Sequence, residues 1–448
     1  MLLVYRAHGY RMTSFRSSKP DWRALFANPG FPLYFVAMFV SLFGTGMNFA
    51  GVTLYVLAKT HSTVQVSFTV ILLTLPRLLV PPLGGVLTDR VDRRYLSIVL
   101  DLGRAAVVFL AALLAWRDRL ELWQLYGMVL LLGVGFAIYW SSSLALLQEV
   151  IPAPQLVSAN SAVLIAVQGG MLAAGGLVGL VYERTGLAGI LSIDGTTYVL
   201  SALCFYLLRR GYFPPQIAAS RALFGSVLEP RPSENYLIGG AHSVLADIHE
   251  GLNYLRTQPT VLALGLTYAC MMAGVISANV LVVALANNLL HVGARGYGFI
   301  ESGWALGAVI GGFAAAPLSH RRPFQVLISA LLLLAVGHAL FPYATFLFMA
   351  IFMNAVFGAC RAIVAVLTQS SILASVPNRL MGRTQSAFAF MATVLQVVMS
   401  FALGWLAEHA SLQVAFLLLG AIYGAALLAA LRVRTLDSTL PATEPTAA

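Results

Sequence analysis

The sequence predicts an all-α integral membrane protein with twelve transmembrane helices in two six-helix bundles. Of its 448 residues, 59% are hydrophobic and only 10% are charged, a composition far too apolar for a soluble protein of this length. Apolar runs recur along the whole chain, and each is long enough to cross a bilayer core of roughly 30 Å. One long polar segment, residues 209–258, separates six of these runs from six others.

The twelve candidate spans are numbered here in chain order. Seven of them contain no Asp, Glu, Lys or Arg: Pro32–Ala58, Leu122–Leu147, Val157–Val181, Val261–Leu290, Phe324–Phe341, Thr384–Leu406 and Leu412–Ala430. Five contain one or two such residues: Val64–Thr88, Tyr95–Trp116, Leu187–Leu208, Gly296–Leu318 and Tyr343–Ala374. Within the second span, Pro76 predicts a bend, because proline removes a backbone hydrogen bond from a helix.

These spans divide the chain into five regions. They are a cytoplasmic N-terminal segment (1–31), a first six-helix bundle (32–208), a cytoplasmic linker (209–258), a second six-helix bundle (259–432) and a cytoplasmic tail (433–448). The N-terminal segment lacks the apolar core of a signal peptide, so we expect the first span to remain in the mature protein. Met12 is an alternative start residue. A surface helix is predicted near Ala246–Leu255 in the linker.

The distribution of basic residues predicts the orientation in the membrane. If the N-terminus is cytoplasmic, 19 Lys and Arg lie in cytoplasmic segments, 5 lie in external loops and 3 lie within spans, which accounts for all 27. Basic residues concentrate on the cytoplasmic side of membrane proteins, so both termini are predicted to be cytoplasmic. The net charge of +10 is then an anchoring signal at a plasma membrane, such as a bacterial inner membrane, and not a nucleic-acid site. The expected partners are the lipid bilayer and a small-molecule substrate, and the chain is expected to be a monomer.

The link between the second and third spans is unusually charged. Residues 84–94 read GGVLTDRVDRR, and five of the six residues from 89 to 94 are charged. This segment resembles the signature of the major facilitator superfamily, Gly-x-Leu-(small)-Asp-Arg-x-Gly-Arg-(Arg/Lys). The matching residues are Gly85, Asp89, Arg90, Arg93 and Arg94, while Asp92 replaces the second glycine.

The resemblance implies a role for this link and extends over the whole chain. In the family, the acid and the arginines of the motif hold the two bundles together on the cytoplasmic side in the outward-facing state. The resemblance assigns that gating role to Asp89, Arg90 and Arg93. A weaker basic link, His320–Arg321–Arg322, stands at the matching place in the second half. The alternative is a solvated basic anchor at the membrane surface.

Two further features resemble the macrolide-efflux and enterobactin-exporter-like branch of the family. They are the Asp101–Leu102–Gly103–Arg104 sequence early in the third span and Ala159–Asn160 at the start of the fifth. The fifth span lacks the Gly-Pro of the antiporter signature, since Ala173–Gly176 contains no proline. The resemblance therefore supports export more strongly than antiport.

Six charged residues lie within the predicted spans, and such residues usually face a partner or a watery path. They are Arg77, Asp101, Arg104, Asp194, Glu301 and Arg361. Arginine does not release its proton in proteins, so Arg77 and Arg361 suit a fixed role, either binding an anionic group or holding a carboxylate. A carboxyl group can exchange a proton, and Asp194 or Glu301 is the predicted proton carrier.

Asp101 and Arg104 are three residues apart on one helix face, which predicts a local structural or gating pair. Because the six residues are three acids and three bases, static salt bridges among all of them remain an alternative. The polar residues Asn48, Gln168, Asn279 and Asn354 either line a cavity or bond neighbouring helices. Asn48 is included among the candidate substrate or coupling residues.

Glycines recur every four residues in two spans. Gly303, Gly307 and Gly311 do so in the eighth, and Gly175 and Gly179 in the fifth. Small faces allow close contact between helices. In the family, helices 5 and 8 meet between the bundles, so both glycine series suit that sliding contact. The alternative is ordinary helix packing, which produces the same spacing.

The predicted function is secondary active transport, namely proton-coupled export of a small amphipathic compound, drug-like or siderophore-like, by alternating access. An importer or uniporter of a small metabolite is the main alternative, followed by a sensor without transport activity and a membrane-embedded enzyme. The sequence has no P-loop, His-Glu-x-x-His or Gly-x-Ser-x-Gly motif, so neither a primary pump nor an enzyme is favoured. Cys204, Cys270 and Cys360 lack metal-ligand spacing. No catalytic residue, metal or cofactor is predicted, and the proton gradient is the expected energy source.

Overall fold

A computed structural model describes residues 22–80, 91–152, 155–208, 250–319, 323–376 and 378–439. We label the long helices in chain order. They are α1 (Phe31–Thr60), α2 (Thr63–Thr74), α3 (Arg93–Trp116), α4 (Leu122–Val150), α5 and α6 (the parts of Leu156–Leu207 before and after Gly186), α7 (Pro259–Ala284), α8 (Gly293–Ser319), α9 (Pro323–Leu340), α10 (Leu347–Ser375), α11 (Asn378–His409) and α12 (Leu412–Thr439). Shorter helical pieces are Trp22–Ala27, Pro76–Leu79, 250–257, the π-helix Leu285–Leu289 and the 3₁₀ turn Phe341–Tyr343.

Ten helical segments in the described part of the chain are long and apolar enough to cross a membrane. One of them, Ser158–Leu207, is counted as a single segment of 50 residues, which is far longer than one crossing needs. Gly186 breaks this segment, because its backbone has φ 61° and ψ −159°, a conformation that glycine tolerates and other residues rarely adopt. A shorter apolar helix, Thr63–Thr74, stands where the second span was predicted.

Local sequence accounts for where several helices begin and end. The Ser62 hydroxyl accepts a hydrogen bond from Gln65 N and caps α2, and the Asp92 carboxylate accepts from Arg94 N and Tyr95 N and caps α3. Helix α2 ends at Thr74 and a single turn from Pro76 follows, at the bend that this proline predicted. The helical residues 250–257 overlap the helix predicted in the linker.

For description we call α1–α6 the N-half and α7–α12 the C-half. In the N-half, α1 and α3 pack against the α5–α6 segment, and in the C-half α7 packs against α11 and α12. We call the end of the molecule where residue 208 leaves and residue 250 returns the linker face, and the opposite end the far face. Asn28 donates to Val150 O at 3.0 Å at the linker face, and Lys59 donates to Leu120 O at 3.1 Å at the far face.

The hydrophobic core differs between the two ends. Toward the far face, one cluster of buried side chains includes residues of both halves, such as Val56 of α1 and Val280 of α7. Toward the linker face the described residues form two separate clusters. One, around Phe31 and Phe205, belongs to the N-half, and the other, around Phe388, belongs to the C-half. The halves therefore share a core at one end only.

Two pairs of helices make most of the contacts between the halves, and α7 also contacts α1 and α2. Helix α2 meets α11, where Thr63 Oγ1 donates to Gly404 O at 2.7 Å and the Phe68 and Phe401 rings are 6.3 Å apart. At the end of α2 and near the middle of α11, Gln396 Nε2 donates to Thr74 Oγ1 at 2.5 Å. These contacts run from the far face to the middle of the molecule.

The second pair is α5 and α8. Gly175 and Gly179 leave no room for a side chain beside Ser302 and the Ala294–Arg295 backbone, as predicted for a close contact between the halves. The prediction is wrong for Gly303, Gly307 and Gly311. They pack against the α10 carbonyls of Ile351, Ala355 and Ala359, within the C-half. The four-residue period identified a helix face made of small residues, but it did not identify the helix that packs against that face.

Candidate functional site

A cavity of about 260 Å³ lies between the two halves, beneath the contacts at the far face. Most of its wall is apolar or aromatic. The aromatic residues are Phe49, Phe136, Tyr198, Tyr297, Trp304, Phe357 and Tyr423; the charged residues are Arg77, Glu301 and Arg361; and the amides are Asn48, Asn279 and Asn354. Three of the six charged residues predicted within the spans therefore share one cavity, together with all but one of the four polar candidates.

Arg77 and Arg361 enter this cavity from opposite halves at matching depth. Arg77 lies fourteen residues after Thr63, in the short helical turn that follows α2, and Arg361 lies fourteen residues after Leu347 of α10, so the helical rise places each about 21 Å from the far end of its segment. The Arg77 guanidinium carbon is 5.2 Å from the centre of the Phe136 ring. The Arg361 guanidinium carbon is 4.8 Å from the Trp304 ring. Both distances are within the range of cation–π attraction.

Glu301 contributes a carboxyl group to the cavity from the first half of α8. Its side chain is half-buried, and no basic side chain in the described ranges forms an ion pair with it. The next residue, Ser302, touches Gly175 where the two halves meet. Asn354 Nδ2 of α10 donates to Ile300 O at 2.8 Å and fixes this part of α8. Glu301 is thus an unpaired carboxyl group at the boundary between the halves.

The other three charges lie together inside the N-half. Asp101, Arg104 and Asp194 are at most 3% exposed. The predicted pairing of Asp101 with Arg104 across one helical turn is confirmed. Ser201 Oγ also donates to Asp101 at 2.7 Å, and the Arg104 guanidinium lies between the rings of Tyr139 and Tyr198, at 4.2 Å and 4.3 Å.

Asp194 connects this buried cluster with the cavity. Asn48 Nδ2 donates to Asp194 Oδ2 at 2.6 Å, and Asn48 itself lines the cavity. The second oxygen, Oδ1, is buried and has no hydrogen-bond partner among the described residues. Arg104 is near enough to attract Asp194 electrostatically without a direct bond. The three acids and three bases therefore do not form three salt bridges within the described part of the chain.

The charged motif is only partly described. Gly85, Asp89 and Arg90 lie outside the described residues. Arg93 Nη1 is 2.9 Å from Glu149 Oε1, and Arg94 Nε donates to Phe205 O at 2.7 Å. Both contacts stay within the N-half at the linker face. Asp92, which departs from the family pattern, acts as the cap of α3.

The sequence did not identify several wall residues. His338 is 5% exposed, and its ring stacks on Phe357 at 4.1 Å and lies 4.8 Å from Tyr423. Its Nδ1 donates to Leu334 O at 2.8 Å, which leaves Nε2 as an acceptor. His338 is the only histidine within a predicted span, but a lone histidine does not identify a site. The wall aromatics had no signal of their own, because aromatic residues occur in most spans. Among the described residues, no group of His, Cys, Asp and Glu side chains is arranged to hold a metal ion.

Comparisons with known proteins agree with this architecture. The sequence model of the Major Facilitator Superfamily matches residues 34–286 and 264–447. The Uncharacterized MFS-type transporter YfiS of Bacillus subtilis (strain 168) is 24% identical over 379 residues, which cover 81% of this chain and 82% of the relative. The Enterobactin exporter EntS of Escherichia coli O81 (strain ED1a) is 26% identical over 361 residues, 80% of each protein.

Solved structures show the same fold at low sequence identity. The nucleoside transporter NupG is 13% identical, with a TM-score of 0.69 over 91% of this chain and 99% of the other. A POT family transporter in complex with a thioalcohol-conjugated peptide is 11% identical, with a TM-score of 0.68 over 92% and 97%. The predicted multi-pass membrane localisation is confirmed, and the chain belongs to the major facilitator superfamily of membrane transporters.

Proposed function

We propose that this transporter exports a small amphipathic compound by alternating access, driven by the proton gradient. Each chain contains both halves and the whole cavity, so we propose a monomer as the working unit, with no cofactor. The ten apolar segments become twelve transmembrane helices if the segment broken at Gly186 crosses twice and α2 continues through its proline turn. The excess of basic residues at the linker face supports a cytoplasmic location for that face and both termini.

The observation that carries this proposal is a cavity between two halves whose contacts, among the described residues, lie on one side of it. The main contacts of this kind, α2 with α11 and α5 with α8, run from the far face to mid-depth. With the linker face in the cytoplasm, this is an inward-facing state that loads its substrate from inside the cell. Separation of these contacts and closure of the other end would release the substrate outside.

Glu301 is our first candidate for the proton carrier. It lines the cavity without an ion pair, beside the α5–α8 contact that must open during the cycle. Its protonation can therefore respond to substrate and to the state of the gate. Asp194 is the second candidate, because Asn48 links it to the cavity wall. Asp101 and Arg104 already form an ion pair with each other and have a structural role in this proposal.

Export as the direction is supported by the EntS relatives, which are named enterobactin exporters. Their identity to this chain is about a quarter, so the substrate is not carried over. The same fold also serves importers and uniporters, because fold alone fixes neither substrate nor direction.

The test is transport in vesicles that contain the purified protein and an internal pH-sensitive dye. A proton gradient is imposed, and a panel of amphipathic compounds is added on either side. We expect proton flux that depends on an added compound, and we expect Glu301→Gln to reduce it by about tenfold or more, as the loss of a proton-transfer group does. Asp194→Asn tests the second candidate for the proton carrier by the same flux measurement. Glu121→Gln, an exposed carboxyl group at the far face, is the matched control and is expected to leave the flux unchanged.

Flux that survives both Glu301→Gln and Asp194→Asn would reject both carriers but keep the transporter. Compound movement without any proton flux would indicate a uniporter. Compound uptake driven by the inward proton gradient would indicate an importer. Export and import are distinguished by the compartment that must contain the compound for proton flux to occur.

A further inference from the structure

We propose that the transported compound is an anion with an aromatic or apolar body, and that Arg77 and Arg361 bind its anionic group. This inference rests on the proposed transport function and adds a substrate class to it. Its starting point is a charge imbalance. Two guanidinium groups and one carboxyl group line the cavity, and neither arginine has an acidic partner among the described residues.

Arg104 is an internal reference for what an arginine at this depth requires. Its guanidinium lies between two aromatic rings and is neutralised by Asp101 of the same helix. Arg77 and Arg361 have aromatic contacts of the same kind, to Phe136 and Trp304, but no carboxylate. Water can hydrate these two groups while the cavity is open, but an unneutralised charge is costly once the cavity closes around it during the transport cycle. Asp101 neutralises Arg104, and we therefore expect an anionic group of the ligand to neutralise Arg77 and Arg361.

The chemistry of the contacts fits this role. A guanidinium that stacks on a ring by its face keeps its N–H groups free at its edge. Those groups match the two oxygens of a carboxylate, and they also suit a sulfonate or a phosphate. Arg77 is solvent-accessible and lines the cavity, so an entering ligand can reach it.

The rest of the wall defines the body of the ligand. Around the charged groups stand Phe49, Phe357 and Tyr423, with His338 stacked on Phe357. The cavity volume of about 260 Å³ is near the lower end of the range for small-molecule sites, which is roughly 300–1,000 Å³. A compact aromatic anion matches this wall, because most of its surface is apolar or aromatic and the two arginines can meet the anionic group.

Glu301 leads to a second expectation, which concerns the effect of its charge on anion binding. Its ionised form repels an anion in the cavity, and its protonated form does not. Neutralisation by Glu301→Gln is therefore expected to strengthen anion binding, whereas loss of either arginine weakens it. In a bacterial cell, an interior-negative membrane potential also favours outward movement of an anion, in keeping with export.

The probes are three compounds with one ring system and different charge: 2-naphthoate, 2-naphthamide and 2-naphthylmethylammonium. Binding to the purified full-length protein is measured by isothermal titration calorimetry. We expect 2-naphthoate to bind at least about tenfold more tightly than the other two, since hydrogen bonds to charged groups are the stronger ones. Arg77→Gln and Arg361→Gln should each weaken 2-naphthoate binding by about tenfold and leave 2-naphthamide binding within about twofold.

The matched control is Arg184→Gln, which removes an exposed arginine at the far face and should change no affinity. Thermal stability, measured on every variant, confirms that each is folded. Tighter binding of the ammonium compound, 2-naphthoate affinity that is unchanged in both arginine variants, or no binding of any probe would each overturn the proposal. Proton-coupled transport of neutral or cationic compounds alone would overturn the substrate class and leave the transport function intact. Arginine-dependent binding of 2-naphthoate without any transport in vesicles would support the anion site and reject the transport function.

Discussion

The two ends of the molecule are held together in different ways. Toward the far face, α2 contacts α11, α5 contacts α8, and one hydrophobic cluster crosses the boundary between the halves. Toward the linker face, each half has its own cluster among the described residues. The polar contacts differ in the same way. Glu183 pairs with Arg295 across the halves at 2.5 Å, whereas Arg93 pairs with Glu149 inside the N-half.

This difference identifies the part of the molecule that must change during transport. Contacts within a half can be permanent, because each half moves as one body. Contacts between the halves must be weak enough to separate in every cycle. Polar contacts at the far face suit this requirement, since exposed ion pairs contribute about 1 kcal/mol or less.

The largest effect is expected from a covalent lock across the far face. A Cβ placed on Gly404 would lie 3.1 Å from Ser67 Cβ, somewhat closer than the roughly 3.5–4.5 Å of a disulfide, so a small separation of α2 and α11 would allow the bridge to form. The double variant Ser67→Cys/Gly404→Cys should lose transport completely when oxidised and regain it on reduction, because the far face can then no longer open. Compound-dependent proton flux in vesicles measures this, and each single variant is the control. Full transport in the oxidised and cross-linked protein would show that these helices need not separate.

A larger side chain should have different effects at a contact between the halves and at a contact within one half. Gly179 faces α8 across the boundary, whereas Gly307 faces the α10 backbone inside the C-half. We expect Gly307→Leu to lose about 1–3 kcal/mol of stability, since overpacking a fixed contact causes strain. Gly179→Leu should lose less, because the halves can separate, and should open the far face instead.

Thermal unfolding and thiol labelling at the far face measure the two effects. The distinction between the two glycines would be contradicted if Gly179→Leu were as destabilising as Gly307→Leu and if thiols at its far face were labelled no faster than in the wild type.

The smallest effect is expected at a single carboxylate of the far face. Glu408 of α11 accepts hydrogen bonds from Ser62 Oγ at 2.5 Å and from Val64 N at 3.0 Å, at the N-terminus of α2. A negative charge is favourable there because of the helix dipole. Glu408→Gln should weaken the closed far face by about 0.5–1 kcal/mol, a roughly two- to fivefold shift in the open fraction. Acidification of the far side should act in the same direction, since protonation removes the same charge.

Single-molecule fluorescence between labels on the two halves measures that fraction. The matched control is Glu149→Gln, which removes a carboxylate of an ion pair within one half and should leave the open fraction unchanged. An equal shift in both variants would contradict the distinction between the two ends.

The sequence predicted the helices well because apolar length and charge determine which segments can enter a membrane. It also predicted the Asp101–Arg104 pair, which depends only on the spacing along one helix. It did not predict that Arg77, Glu301 and Arg361 share a cavity while Asp101, Arg104 and Asp194 do not. That division depends on how each helix is rotated against its neighbours.

The same limit explains the misassigned glycines of α8. A period of four identifies a face, but the partner of that face depends on packing between distant segments. Trp304 and Tyr423 became part of the site for the same reason, since only the fold distinguishes a cavity wall from a lipid-facing surface.

The most direct test of alternating access in this protein measures one distance across each end of the molecule by pulsed electron paramagnetic resonance. Spin labels on Asp118→Cys and Ala410→Cys report the far face, and labels on Ala27→Cys and Gln258→Cys report the linker face, all at exposed positions. A transported compound should lengthen the first distance and shorten the second, because alternating access requires the two ends to move in opposite directions. If both distances lengthened together, or neither changed while transport continued, alternating access between these two ends would be contradicted.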